Sequence, residues 1–274
     1  GLYIVSTPIG NLGDLSLRAE KVLGMVDFII CENPKHSLKL LNKLGIKKKL
    51  LSLHDYNEDV LIKRIEKFQD TSSIALISDA GSPLISDPGY KLVQNYIKKE
   101  LLITTIPGPT SIISALQLSG LPINNFIFFG FLPKNKKPIE DMVNKIKNLE
   151  ITSIFFISGI RLISFLKVIF DNNIDRKISV CKEITKKNEH VFRGNALSII
   201  SDISKNNKLL KGEFIILISG NENKNLQTLS ISIEKQIKKL LEKFALTEVV
   251  EIVHKLTNIS KKEIYTKALL IKND

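Results

Sequence analysis

The sequence predicts an α/β protein made of two successive α/β halves and a small helical extension. Three observations carry this. Short β-branched runs alternate with helix-length amphipathic segments through residue 118, the pattern of a mostly parallel sheet with helices on both faces. A second series of strands and helices follows the break Ser119-Gly120-Leu121-Pro122. From Ser230 onward the apolar positions recur at helical spacing. The expected boundaries are 1–120, 121–226 and 227–274, with the Asn-rich run from Asn221 to Asn225 as a linker.

In order, Leu2 to Val5 reads as a buried strand, and Ser6-Thr7-Pro8-Ile9-Gly10-Asn11 as a turn before a helix from Leu17 to Met25. Asp27 to Cys31 is a second strand, followed by a helix carrying Leu38, Leu40, Leu41 and Leu44. Leu50 to Leu53 is a third strand, Asp59 to Gln69 a helix, and Ile74 to Ile77 a buried fourth strand. The helix Tyr90 to Ile97 leads to a strand over 101–106 and a helix from Ile112 to Leu118.

In the second half, strands are expected over 125–133, 152–158, 178–181 and 213–220, with helices over 139–149, 161–170 and 196–203. The charged segment Lys182 to Glu189 leads to Val191-Phe192-Arg193-Gly194. Near the end, helices meet at Thr257-Asn258-Ile259-Ser260, with Ser260 as N-cap and Glu263 three residues on. This resembles a helix-turn-helix, which reads first as a plain helical cap and second as a basic pair that touches RNA.

The stretch Ser78-Asp79-Ala80-Gly81-Ser82-Pro83-Leu84-Ile85-Ser86-Asp87-Pro88-Gly89 stands at the carboxyl end of the fourth strand, the edge where open α/β sheets bind ligands. Asp87 or Ser86 is expected to cap the next helix, with Pro88 at its first position. Asp79 to Pro83 reads as a ligand loop, because a plain connection takes about 2–6 residues and needs no such composition. The loops at Pro8 and Pro109 end strands at the same edge and can converge on one ligand.

Forty Lys and Arg against 28 Asp and Glu give a net charge of +12. Such a surface attracts polyanions, nucleic acid first, although a composition rich in Lys, Ile and Asn also produces it. No apolar run reaches the roughly 18–20 residues that span a bilayer, and no charged segment followed by an apolar one opens the chain, so a cytoplasmic protein with no membrane partner is expected. The start at Gly1, directly before a strand, suggests that a few native residues precede it. Cys31 and Cys181 read as reduced core residues, and His36, His54, His190 and His254 as scattered surface residues. No phosphate-loop, G-x-G-x-x-G, nucleophile-elbow or metal-spaced motif occurs, so no metal is expected. Chemistry must then come from a bound cofactor or from polar groups gathered by the fold, with Asp79, Glu183, Lys186, Glu189 and Arg193 as candidates.

Several of these stretches together resemble the tetrapyrrole-methylase superfamily. They are Thr7 to Leu12, Ser78 to Gly89, Ile106 to Ser111 with Ser119 to Pro122, Phe129-Gly130-Phe131-Leu132-Pro133, Lys182 to Lys186 and Lys211 to Phe214. The likeness is strongest to the branch that methylates the ribose 2′-hydroxyl of a cytidine in 16S ribosomal RNA. The resemblance implies two α/β domains of the class III methyltransferase type, S-adenosylmethionine bound in the cleft between them, and a homodimer. Carried over by position, the cofactor would meet Pro8, Gly81, Ser82, Pro83, Leu84, Ile85, Thr110 and Ser111 from the first half. From the second half it would meet Phe156, Ile184 and Phe214.

Glu183 or Asp79 is expected to take the hydroxyl proton, and Lys134, Lys136, Lys137, Arg161, Lys186 and Arg193 to meet the RNA, either as 16S RNA or as the small ribosomal subunit. Lys47 to Lys49 and the C-terminal helices add charge. Relatives carry Asp-Thr-Arg where this chain has Asn33-Pro34-Lys35, a glutamate where it has Ile157, and arginine where it has Lys182. Two other readings stay open: a methylase for a corrin or other small substrate, and a noncatalytic RNA-binding relative.

Overall fold

Five parallel strands build the first sheet: β1 (Leu2–Val5), β2 (Phe28–Cys31), β3 (Lys49–Ser52), β4 (Ile74–Ile77) and β5 (Ile103–Ile106), in the order β3-β2-β4-β1-β5. The computed structural model describes residues 1–205, 210–221, 231–257 and 259–273. Every residue of β4 is buried, as expected for a strand covered on both faces. Helices α1 (Leu17–Met25) and α2 (Pro34–Lys43) pack Ala19, Val22, Leu23 and Leu41 against one face of the sheet. Helices α3 (Glu58–Ile65) and α4 (Tyr90–Lys98) pack Leu61, Ile65, Leu92 and Tyr96 against the other.

The start of α4 corrects one expectation. Neither Ser86 nor Asp87 caps it; Gly89 is the N-cap, with φ 127°, and Pro88 lies outside the helix. The cap comes from another helix, because buried Glu58 on α3 accepts a hydrogen bond from Leu92 N at 2.8 Å. A carboxylate at a helix N-terminus satisfies an orphan N–H and complements the dipole. Ser86 and Asp87 are thereby left to face elsewhere.

Helix α5 (Ser111–Ser119) closes the first half. The second sheet holds β6 (Phe126–Phe131), β7 (Thr152–Ser158), β8 (Ile178–Lys182), β9 (His190–Gly194) and β10 (Glu213–Ile218), ordered β6-β7-β10-β8-β9. Only β6 and β7 run parallel; β10 inserts antiparallel between β7 and β8. Residues 191–194, which the sequence offered only as the sequel to a charged segment, pair with β8 as an edge strand. Helices α6 (Lys136–Asn148), α7 (Gly159–Asp171) and α8 (Ala196–Ser204) bury Val143, Ile146, Leu162, Phe165 and Ile199 on one face. Helix α6 begins three residues before the expected Ile139, because Pro138 is tolerated in a first turn.

The other face of this sheet is covered by the first half. Ile112, Ala115 and Leu116 of α5 pack with Ile154, Cys181, Ile215 and Leu217. Gly1–Gly220 accordingly forms one compact unit, and Asn221–Asp274 a second. In the second unit α9 (Ile231–Leu241), α10 (Leu246–Thr257) and α11 (Lys261–Asn273) gather around Ile237, Val249, Val253 and Ile264. Ser260 Oγ accepts from Glu263 N at 3.3 Å, the N-cap bond read from the sequence. The linker expected over 222–225, the boundary at 226–227 and Asn258 lie outside the described residues. Among the described residues, no helix is long and apolar enough to cross a membrane.

Candidate active site

Three loops of the first half meet at the carboxyl edge of its sheet. Beyond β1, Thr7 N donates to Gly81 O at 2.8 Å and Gly81 N returns to Thr7 O at 3.0 Å. The Ser6 and Ser82 hydroxyls lie 2.9 Å apart, and Ser82 Oγ reaches Pro109 O at 3.4 Å. These bonds tie the turns after β1, β4 and β5 together, since β1 lies between β4 and β5 in the sheet. The convergence expected from strand ends is thus built by backbone pairing and two serine hydroxyls.

Across from them stand β6, β7, the turn after β8, and the start of β10. Together the two sides enclose a cleft of about 890 Å³. Of the residues expected to meet a cofactor, Gly81, Ser82, Ile85, Thr110, Ser111, Phe156, Ile184 and Phe214 line it. Pro83 and Leu84 do not: Pro83 is buried, and Leu84 packs against the core that includes β4. Pro8 lines an adjoining side cavity of about 320 Å³, which shares Ile9, Asp79, Ala80 and Glu213 with the cleft.

The RNA candidates divide in the same way. Lys134 and Arg161 line the cleft, and Lys186 the side cavity. Arg161 donates to Leu132 O at 2.8 Å and also to Pro133 O, fixing the lip where the chain leaves β6. Lys136 and Lys137 are exposed on α6 and line neither space. Arg193 is also away from both; it donates to Leu118 O and so closes the end of α5.

Glu183 is held rather than free. Its Oε1 accepts from Glu213 N at 2.9 Å and from Lys186 Nζ at 3.1 Å, and Lys186 also pairs with Glu213 Oε2 at 2.9 Å. Burial alone would raise the Glu183 pKa, but the Glu213 N–H and the Lys186 ammonium outweigh it and hold the carboxyl below its usual range. Glu189 Oε2 accepts from Thr185 N at 2.6 Å, bracing the same turn. The backbone here is left-handed at Glu183 (φ 49°) and Thr185 (φ 66°). It is accommodated by two glycines, because a Cβ on Gly212 would meet Glu183 Cγ at 2.6 Å and one on Gly10 would meet Thr185 Oγ1 at 2.8 Å.

Asp79 behaves in the opposite way. Its Oδ1 is buried without a hydrogen-bond partner, at the wall shared by the cleft and the side cavity. Asp87, also on the cleft wall, has its pKa pushed up to about 6, first by burial and then by the nearby charge of Glu32, with Ser78 opposing. Glu32 is itself raised by burial and by Asp79 and Asp55. The edge of the first sheet therefore presents an acidic corner, and Lys134 and Arg161 the opposite lip. Cys181, also on the cleft, stays a thiol, with its pKa raised by burial to about 11.

Sequence reasoning passed over Phe131, Leu132, Ser158 and Glu213 as wall residues, and His36, Lys39 and Lys43 of α2 in the side cavity. Phe131 and Leu132 were visible as a motif, and the α2 residues as a one-face spacing of three and four. Asn33 begins α2, its Oδ1 accepting from Lys35 N at 3.1 Å and His36 N at 3.3 Å. Asn and Asp cap about equally well, so the replacement of the relatives' Asp preserves the helix start. Ile157 fills the core of the second half and Lys182 is buried in β8. Among the described residues, no group of His, Cys, Asp and Glu side chains is placed to hold a metal ion.

The cleft suits a nucleoside-bearing sulfonium such as S-adenosylmethionine. Its volume falls within the roughly 300–1,000 Å³ of ligand pockets, its walls offer Ile85, Phe156, Ile184 and Phe214 to a flat ring, and Ser82, Thr110 and Ser111 supply polar contacts beside the start of α5. The model of the tetrapyrrole (corrin/porphyrin) methylases matches residues 1–199. Ribosomal RNA small subunit methyltransferase I of Rickettsia prowazekii is 42% identical over 276 residues, covering 97% of this chain and 95% of that protein. Its counterpart from Thermotoga maritima is 40% identical over 222 residues, covering 81% of this chain and 99% of that protein. Uroporphyrin-III-C-methyltransferase from Thermus thermophilus shares the fold, with a TM-score of 0.53 at 16% identity over 80% of this chain and 93% of its own. The chain therefore belongs to the tetrapyrrole methylase family, beside the proteins named ribosomal RNA small subunit methyltransferase I.

Proposed function

We propose that this chain methylates the ribose 2′-hydroxyl of a cytidine in the 16S RNA of the small ribosomal subunit, acting in the cytoplasm as a homodimer. The observation that carries the reading is the cleft. One wall is apolar with hydroxyls at the N-terminus of α5, and the other ends in Lys134 and Arg161. Relatives at 40–42% identity are named for ribosomal RNA, whereas the uroporphyrin enzyme at 16% shares the fold alone, which favours RNA over a corrin substrate.

S-adenosylmethionine, when bound, supplies an electrophilic methyl group on a sulfonium. The residues that would hold it are Gly81, Ser82, Ile85, Thr110 and Ser111 from the first half and Phe156, Ile184 and Phe214 from the second. In-line transfer leaves the protein two tasks: holding the hydroxyl in line with the methyl group, and accepting its proton. The acceptor needs an oxygen whose charge is not already neutralised by a cation. Asp79 Oδ1 has no partner, whereas Glu183 is paired with the Lys186 ammonium and bonded by Glu213 N–H, which hold its carboxyl below the usual range and make it the weaker base. We assign the proton to Asp79 and give Glu183 the positioning of Ile184 through its turn. Lys134 meets RNA phosphate at the lip, and Arg161 holds that lip in place.

The test is methyl transfer from labelled S-adenosylmethionine to small subunits and to naked 16S RNA, with the product nucleoside identified by mass spectrometry. 2′-O-methylcytidine is expected, and Ser82→Phe should abolish it together with cofactor binding while the protein stays folded. Transfer to a base, or no transfer from a protein that still binds RNA, would overturn the reading.

A further inference from the structure

The side cavity and the helix beside it point to a second contact with RNA. Helix α2 is Pro-Lys-His-Ser-Leu-Lys-Leu-Leu-Asn-Lys, with no acidic residue. His36, Lys39 and Lys43 are spaced by three and four and so share one face, and all three line the cavity of about 320 Å³. Among the described residues none of the three makes an ion pair. Lys186 contributes a fourth cation, shared with Glu183 and Glu213. The acidic groups on the walls are Asp79 and Glu213, and Glu213 is paired with Lys186. Asp79 lies on the wall common to both spaces.

We propose that His36, Lys39 and Lys43 bind the sugar-phosphate backbone of the RNA strand next to the nucleotide being methylated. The inference rests on the RNA reading above and deepens it. Its geometry is that of a strand passing from one space to the next: the reacting ribose lies at the Asp79 wall, and the adjoining phosphates run along α2. Seven residues of helix rise about 10 Å, so the stripe is longer than one phosphate group and suits a chain of them. The cavity, at the lower end of pocket sizes, is too small for the cofactor and the acceptor together but admits one nucleotide-sized group. Phosphate contacts of this kind fix register and carry no sequence information.

The experiment uses the full chain with Lys39→Gln and Lys43→Gln combined, a change that keeps exposed helix-forming positions helix-forming. Lys98→Gln is the control. It lies at the end of α4, and a helix that returns from the carboxyl edge of a parallel sheet ends at the opposite edge. The affinity for a fluorescein-labelled single-stranded RNA from the 16S sequence is measured against salt, and S-adenosylhomocysteine binding by calorimetry. Each single-strand phosphate contact contributes about 0.7 to the slope of log K against log salt, so the double variant should lose about 1.4 of slope. Its cofactor affinity should stay unchanged, and the control should match wild type in both.

If wild type methylates RNA while the double variant keeps the wild-type slope and affinity, the α2 site is wrong and the RNA reading stands. If wild type itself shows no salt-dependent RNA binding, the RNA reading fails and takes this site with it. A loss of slope in the control half that of the double variant, about 0.7 for its one charge, would assign the effect to net charge and overturn the site.

Discussion

Replacing Gly10 by alanine tests how the cofactor cleft is assembled. Gly10 is not left-handed, so alanine meets no backbone penalty there, and the added methyl is purely a packing perturbation. It would lie 2.8 Å from Thr185 Oγ1, 3.1 Å from Ile184 O, and closer still to Lys186 Cγ. The obstacle is a turn rather than a loose chain end, because Glu183, Glu189 and Glu213 anchor it through side-chain and backbone bonds. Overpacking of this kind costs about 1–3 kcal/mol, and the stiffer unfolded chain returns about 0.4–1 kcal/mol, leaving a net loss near 1–2 kcal/mol. The turn carries Ile184 on the cleft wall, so weaker cofactor binding should accompany the loss. Urea unfolding gives the first quantity and calorimetry with S-adenosylhomocysteine the second. Adding Lys186→Ala removes Lys186 Cγ, so a double-mutant cycle should show favourable coupling of at least about 0.5 kcal/mol. A Gly10→Ala protein as stable as wild type, with undiminished affinity and no coupling to Lys186, would refute the idea that this turn rests on Gly10.

Three further outcomes follow from named contacts. Glu58→Ala should lower stability by about 1–2 kcal/mol in urea unfolding, because Leu92 N loses its partner in a buried place, while Ser86→Ala should change it by less than about 0.5 kcal/mol because that side chain caps nothing. Asp87 has a folded pKa of about 6 against an ordinary 3.8, so its contribution to stability is fully present below pH 4 and is lost as pH rises through 6. The loss is at most about 3 kcal/mol, and Asp87→Asn should flatten the wild-type decline in urea midpoint between pH 4 and 7. Arg161→Lys keeps the charge but cannot span Leu132 O and Pro133 O together, so it should cost about 1 kcal/mol and raise proteolysis at the 132–135 lip. Unchanged cleavage would show that the lip is held by other contacts.

The fold was legible because its signals are local. Four apolar residues at Ile74, bounded by turns, read as a short buried strand, and α2 announces itself by its leucine stripe. The sequence also named the three loops that meet at the cleft, because Gly and Pro mark chain reversals at strand ends. Partners distant in sequence were not legible. Asp87 beside Pro88 looks like an N-cap, yet the cap of α4 is Glu58, 34 residues away from Leu92, and no local pattern encodes that. Strand β9 was missed for a related reason: His190–Gly194 is an edge strand, half-exposed, whose identity comes from pairing with β8. Leu84 counted as a cofactor contact because it sits inside the loop motif, but its side chain turns down onto the β4 core.

The same backbone accounts for where the cleft residues point. Among the described residues, six non-glycine residues have left-handed backbone: Leu84, Ser86, Glu100, Asn173, Glu183 and Thr185. Glu100 and Asn173 follow the ends of α4 and α7, a common place for that conformation. The other four occupy the two loops that face each other across the cleft, and each carries a conformational cost of about 1–2 kcal/mol. Something must hold them. In the first loop Leu84 does so, because its turn buries an apolar side chain and leaves Ile85, Ser86 and Asp87 on the cleft. In the second the hold is electrostatic, with Lys186 bridging Glu183 and Glu213 over the space left by Gly10 and Gly212. A ladder-paired strand would alternate its side chains and could not present three neighbours to one space. The strain is what allows consecutive residues to line the cleft, and it lies in Leu, Ser, Glu and Thr, residue types that give a sequence reader no warning of a left-handed turn.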